Sequence, residues 1–228
     1  MDVGKLLRTA PVKPEYAPTL PQLLAPRVDS LPRIVLRVVA VGAIVVAVAA
    51  ILLAVRLRNP VFSYTGTPAF ATSYSRAMTR LPVPANGPLL LSLEQRTSAG
   101  IESSFQIRLL SVPRYRGEIS GQLPVLASRM IATMSAADPT FLPYSRGRTR
   151  INLVPGYSFT FQRTIGGRVY WGRDVLITPH LSGDRTGLLM SMLTLPGPLV
   201  NTATKPVTPD DVGSVGALFD PFERLRFH

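Results

Sequence analysis

Eighteen consecutive positions from Val38 to Val55, VVAVGAIVVAVAAILLAV, carry no charged or strongly polar side chain. A helix of about that length crosses the hydrocarbon core of a bilayer. A lone segment in lipid must be helical to pair its own backbone groups. The pattern predicts a transmembrane helix over residues 34–56. A buried core helix is the competing explanation, but the apolar surface runs round the whole circumference and leaves no polar face. The prediction divides the chain into a flexible proline-rich tail (1–33), the span (34–56), a juxtamembrane strand and loop (57–87), and the main part of a folded domain (88–228). The tail contains Pro11, Pro14, Pro18, Pro21, Pro26 and Pro32, a density that denies it a stable helix or central strand.

After the span, the pattern changes period several times. Val61 to Tyr64 reads as a first strand, and residues 65–87, rich in Gly, Pro, Ser and Thr, as surface loop. Leu89 to Gln95 and Ile101 to Val112 read as the two strands of an antiparallel hairpin turning at Thr97 to Gly100. From Gln122 to Met134, apolar residues recur every three or four positions (Leu123, Leu126, Met130, Ile131, Met134), the stripe of an amphipathic helix stopped by Asp138-Pro139. Strict alternation follows. Thr149, Ile151 and Leu153 alternate with Arg148, Arg150 and Asn152, and Pro155-Gly156 reads as a turn. Tyr157, Phe159 and Phe161 then share one face, Gly166-Gly167 turns again, and Val169 to Ile177 returns. Leu188 to Leu195 is a nearly unbroken apolar strand. A last helix is expected over Pro209 to Phe219, capped by Thr208, with Asp210 and Asp211 at its positive end.

Burial argues for a register at the Gly166-Gly167 turn. A two-residue turn pairs Ile165 with Arg168 and sets Phe159 opposite Asp174. One more loop residue sets Phe159 opposite Val175 and collects the apolar residues on one face, so the longer loop with a glycine bulge is expected. The fold class is α+β, an antiparallel sheet with helices packed on its faces, preceded by one transmembrane helix. This order, with GYSFTF, GRVYWGRDVLI and GLLMSML between the two helices, resembles the PsbP-like family. The resemblance implies a compact α/β/α domain acting as a scaffold or accessory module at a membrane surface. It brings no functional residues with it.

Charge adds location. The formal net charge is +12. Up to Arg37, six Lys and Arg oppose three acids; from Arg56 onward, nineteen oppose ten. Close to the span, Arg27, Arg33 and Arg37 outnumber Arg56 and Arg58. By the positive-inside rule the N terminus is cytoplasmic and the domain extracytoplasmic, on an uncleaved signal anchor in the cell membrane. The opposite topology is the other option. Arginine outnumbers lysine 22 to 3, which a coding bias explains more plainly than contact with a polyanion does.

The chemistry is sparse. No cysteine is present, which removes disulfides, thiolate ligands and cysteine nucleophiles. Of the two histidines, His228 is terminal and His180 follows a proline. A Ser182–His180–Asp184 grouping is local in sequence, whereas a triad converges by folding. No phosphate-binding glycine loop or nucleophile elbow occurs, and no cofactor or metal is expected. Two features stand out. Arg146, Arg148 and Arg150 project from one face of a strand about 6–7 Å apart, a row suited to the phosphates of anionic lipid or an envelope polymer; a charge-protected edge strand is the plainer explanation. Asp174 lies near Arg163 and Arg173, as an ion pair or a functional carboxylate. The sequence therefore predicts a single-pass, non-enzymatic extracytoplasmic binding or accessory domain. Its partners are membrane lipid through 34–56 and a protein of a membrane complex, and nucleic acid is not expected. The alternatives are a structural subunit of a membrane or secretion complex and a carboxylate-dependent enzyme.

Overall fold

The computed structural model describes residues 33–57, 59–113, 119–178, 186–197 and 205–228, with only the backbone at 33, 34, 36, 51–57, 119 and 120. The predicted proline-rich tail lies outside these residues apart from its last position. The first element is helix α1, Arg33–Leu57. Its 25 residues amount to a rod of about 37 Å. Every side chain described on it is exposed, with Val38 at 66% and Val46 at 69%. None of its described side chains belongs to either apolar cluster. Among the described residues no helix is long and apolar enough to cross a membrane; the side chains described on α1 are those of residue 35 and residues 37–50 alone.

Asn59 to His228 form a separate compact unit. Its strands are β1 (Val61–Tyr64), β2 (Phe70–Ser73), β3 (Thr79–Arg80), β4 (Leu89–Thr97), β5 (Gly100–Ser111), β6 (Leu142–Ile151), β7 (Val154–Ile165), β8 (Arg168–Ile177), β9 (Thr186–Thr194) and β10 (Arg226–Phe227). Seven of them make an antiparallel sheet in the order β3-β4-β5-β9-β8-β7-β6, and β1, β2 and β10 make a small second sheet. Helix α2, Ile119–Ala137, lies between β5 and β6 in the chain. The α+β class thus stands, and the segment read as surface loop also supplies β2 and β3.

Strand side chains alternate between faces, and each face of the large sheet has its own core. On one, α2 lays Leu123 and Ala127 against Phe159, Phe161 and Leu176. On the other, Phe105, Ile107, Val175, Ile177, Met190 and Met192 meet the small sheet and the C-terminal segment through Phe70, Val212, Leu218 and Phe222. Burying each of the larger of these side chains contributes about 1.5–3 kcal/mol. Helices were expected on both faces, but the second cover is a small sheet with short helical turns. The predicted last helix is divided into turns at Pro209–Asp211 and Gly216–Leu218 and the five-residue α3, Phe219–Glu223. Gly213 and Gly216, at φ +88° and +69°, hold left-handed conformations that no helix continues through.

Two turns differ from the sequence reading. The β6–β7 turn is Asn152–Leu153, at φ 45° and 70°, with Ile151 paired to Val154, and Pro155 belongs to β7. Pairing of β7 with β8 ends at Gly156 opposite Ile177, so the missing proline N–H forfeits no ladder bond to β8. At the β7–β8 turn the tight register is the one formed. Ile165 pairs with Arg168 and Phe159 with Asp174, and Gly166 and Gly167 both have positive φ, as a primed two-residue turn requires. Collecting apolar residues on a single face confers no advantage when both faces are covered. The tight register sends Phe159, Phe161 and Leu176 to one core and Val175 and Ile177 to the other.

Candidate functional site

Strand β6 is an edge of the large sheet. Arg146 and Arg148 stand opposite Phe159 and Tyr157, which places them on the α2 side. Arg150, two residues further on, shares that face. All three are exposed. Arg146 Nη1 donates to Ser128 Oγ of α2 at 3.3 Å, and no carboxylate pairs with any of the three among the described salt bridges. The row is therefore both an edge protected by charge and a line of guanidinium groups open to an anion. No Asp or Glu occurs between Asp138 and Asp174, so β6 and β7 bring no acid of their own.

Asp174 is 1% exposed, and neither carboxyl oxygen has a hydrogen-bond partner. Burial pushes its pKa up to about 7. Ser191, opposite it on β9 and outside hydrogen-bond geometry, and the charges of Arg108 and Arg163 only partly oppose that shift. The predicted ion pair with Arg163 and Arg173 is not made. Arg163 Nε lies 3.6 Å from Asp138 Oδ2. Arg173, the next residue along the strand, points to the opposite face. There it donates to Val212 O at 3.3 Å and lies 4.8 Å over the Phe222 ring. Its burial lowers its pKa, against the charges of Asp210 and Glu223. Asp138 is a turn residue. The Thr140 hydroxyl and backbone N–H, with help from Arg163, hold its carboxyl below the usual range. Asp174 is thus a carboxyl shut beneath a helix, out of reach of a substrate.

Two arrangements escaped the sequence reading because they join distant segments. Asp210 Oδ1 accepts from Thr160 Oγ1 at 2.9 Å and from Ser145 Oγ, tying the C-terminal segment to β6 and β7. A register shift between Pro143 and Arg146 positions Ser145 for this contact. A cleft of about 300 Å³ with a mixed lining brings together Gln95, Glu102, Ser103, Thr194, Lys205 and Leu218, among others. Lys205 Nζ meets Glu102 Oε1 at 2.6 Å, and the buried hydroxyls of Ser103 and Thr194 lie 2.9 Å apart. No local motif signals either one. Among the described residues, no group of three or more His, Cys, Asp or Glu side chains could hold a metal ion. His180, Ser182 and Asp184 lie outside the described residues.

No protein-family model and no curated protein matches the chain. Among solved structures it is similar to LpqN, involved in cell envelope biogenesis of Mycobacterium tuberculosis, with 10% identity over 74% of this chain and 90% of that one and a TM-score of 0.51. Cyanobacterial PsbP (CyanoP) from Synechocystis sp. PCC 6803 matches at 12% identity over 74% of this chain and 92% of that one, with a TM-score of 0.48. The Saccharomyces cerevisiae Ran-binding protein Mog1p matches at 10% identity over 74% and 95%, with a TM-score of 0.44. At such identities the likeness to LpqN is one of fold alone.

Proposed function

We propose that this chain is a single-pass, membrane-anchored, non-enzymatic binding or accessory protein. In this reading its folded unit lies outside the cytoplasm and engages anionic headgroups or an anionic envelope polymer through Arg146, Arg148 and Arg150. The observation that carries it is α1. A 25-residue helix whose described side chains, Arg37 apart, are exposed valines, alanines and one isoleucine leaves a large apolar surface that water does not favour. The Asn59–His228 unit buries its own core without it. The enclosure of Asp174 favours binding over a carboxylate-dependent reaction. Protease added to intact cells or spheroplasts should degrade the domain and leave a membrane-retained fragment that resists carbonate extraction. Full protection of the domain would overturn the outward placement. Recovery of the whole chain in the soluble fraction would overturn the anchor.

A second reading, a subunit of a membrane assembly, is favoured by a groove of about 300 Å³ between α2 and β5. Leu110, Leu126, Met130 and Met134 line it, with Arg129 and Thr133 at its edge, and methionine-rich apolar surfaces adapt readily to partners. Crosslinking in the native membrane followed by mild-detergent purification should then recover a defined complex. Recovery of free monomer alone counts against it.

A further inference from the structure

The turn between β6 and β7 carries a residue that serves neither the turn nor a core. Leu153 has φ +70°, a conformation that bulky L-residues rarely adopt and that glycine adopts freely. A two-residue turn of this kind favours Asn-Gly, and here glycine's place is held by leucine. The side chain is 83% exposed, more than any other exposed large hydrophobic among the described residues, and it belongs to neither apolar cluster. Asn152 Nδ2 donates to Leu225 O, so the tip is tied to the body of the domain. Immediately before it runs the arginine row, ending at Arg150, in a stretch free of acids. An unfavourable conformation kept at an exposed apolar residue points to use rather than to folding. An apolar tip beside a line of cations is complementary to an interface with anionic headgroups outside and hydrocarbon beneath.

We propose that the β6–β7 turn is a membrane-inserting tip: Leu153 enters the acyl layer of an anionic bilayer while Arg146, Arg148 and Arg150 engage its headgroup phosphates. This rests on the membrane-anchored reading above and names the bilayer, rather than a soluble polymer, as what the arginine row meets. The chain has no cysteine, so Leu153→Cys can be labelled uniquely with an environment-sensitive fluorophore in the full chain. In nanodiscs containing phosphatidylglycerol the label should shift to the blue and be quenched by bromine-substituted acyl chains. Both effects should vanish in pure phosphatidylcholine, and in phosphatidylglycerol discs when all three arginines are Gln. Unlabelled Leu153→Gly should melt at the same temperature or higher. Equal emission in the two lipids, a shift that survives the arginine replacements, or a shift reproduced by soluble polyphosphate would overturn the proposal. A clear loss of stability in Leu153→Gly would do the same, because it would mean that the leucine packs. The two readings can fail separately. A chain that enters nanodiscs without a lipid-dependent shift loses the tip and keeps the anchor. A chain that stays out of nanodiscs, but whose label still shifts with added anionic vesicles, loses the anchor and keeps the tip.

Discussion

Replacing Asp174 with asparagine should flatten the dependence of stability on pH between about 4 and 7 and leave the variant markedly more stable than the parent at pH 8.5. Unfolded, the carboxyl titrates near 3.8; folded, burial raises it to about 7. Between those values the folded state holds a proton that the unfolded state has released. The parent therefore loses stability as pH rises through this window, by about 1.4 kcal/mol per unit and about 4 kcal/mol in total. Above the folded value the penalty is complete, since a charge with no hydrogen-bond partner then sits in the core. Asparagine cannot ionise. It leaves polar atoms unpaired much as the protonated carboxyl does, so the two proteins should nearly coincide below about pH 4, diverge between about 4 and 7, and keep a constant gap above that. Asp138 and Asp211, both held below the usual carboxylate range by hydrogen bonds from Thr140 and Thr208, add their dependence only at lower pH. Urea unfolding from pH 4.5 to 8.5 would reveal the difference. Parallel profiles for parent and variant would mean that Asp174 is ionised and compensated.

The same residue shows where sequence reading reaches its limit. The alternation of Tyr157, Phe159 and Phe161, the stripe from Leu123 to Met134 and the hairpin of β4 and β5 were legible because each carries its period locally. The partners of Asp174 were not. Neighbours in sequence point apart on a strand, so Arg173 was the residue least able to meet it. Arg163 is taken by Asp138, which lies at the end of α2 and outside β7 and β8. The register of β7 and β8 was misjudged for a related reason. The register argument weighed the apolar residues of one face alone, and the second cover, built from β1, β2, β10 and the C-terminal turns, is assembled from the two ends of the domain. Turn chemistry misled at Pro155-Gly156, a strong turn signal that lies within β7 because the chain had already turned at Asn152 and Leu153. Of the candidate site, the arginine row and its shared face were visible in the spacing. The exposure of Leu153 was not, since alternation with Ile151 made it look like a core position.

Phe161→Ala should destabilise the domain by about 3–5 kcal/mol, a large fraction of the 5–15 kcal/mol that holds an ordinary domain together. The ring is 2% exposed, with its centroid 4.9 Å from Phe141 and 6.0 Å from Phe159. Across the ladder it faces Gly172, and it lies so close over that bare backbone that a methyl group at 172 would sit 2.3 Å from the ring. The glycine is therefore one half of a packed pair, and its replacement has a predictable sign. Alanine is ordinarily the better residue in a strand by about 0.5–1 kcal/mol. Here it must push a ring out of a close-packed cluster, at a cost of about 1–3 kcal/mol. The double variant discriminates between this account and independent roles. Once the ring is gone, the methyl at 172 enters the space it left, so the two losses should fall short of adding by about 1–2 kcal/mol. Urea unfolding of the parent, both single variants and the double measures this coupling directly. Strict additivity would show that Gly172 is needed for the conformation of β8 and not for the seat of Phe161.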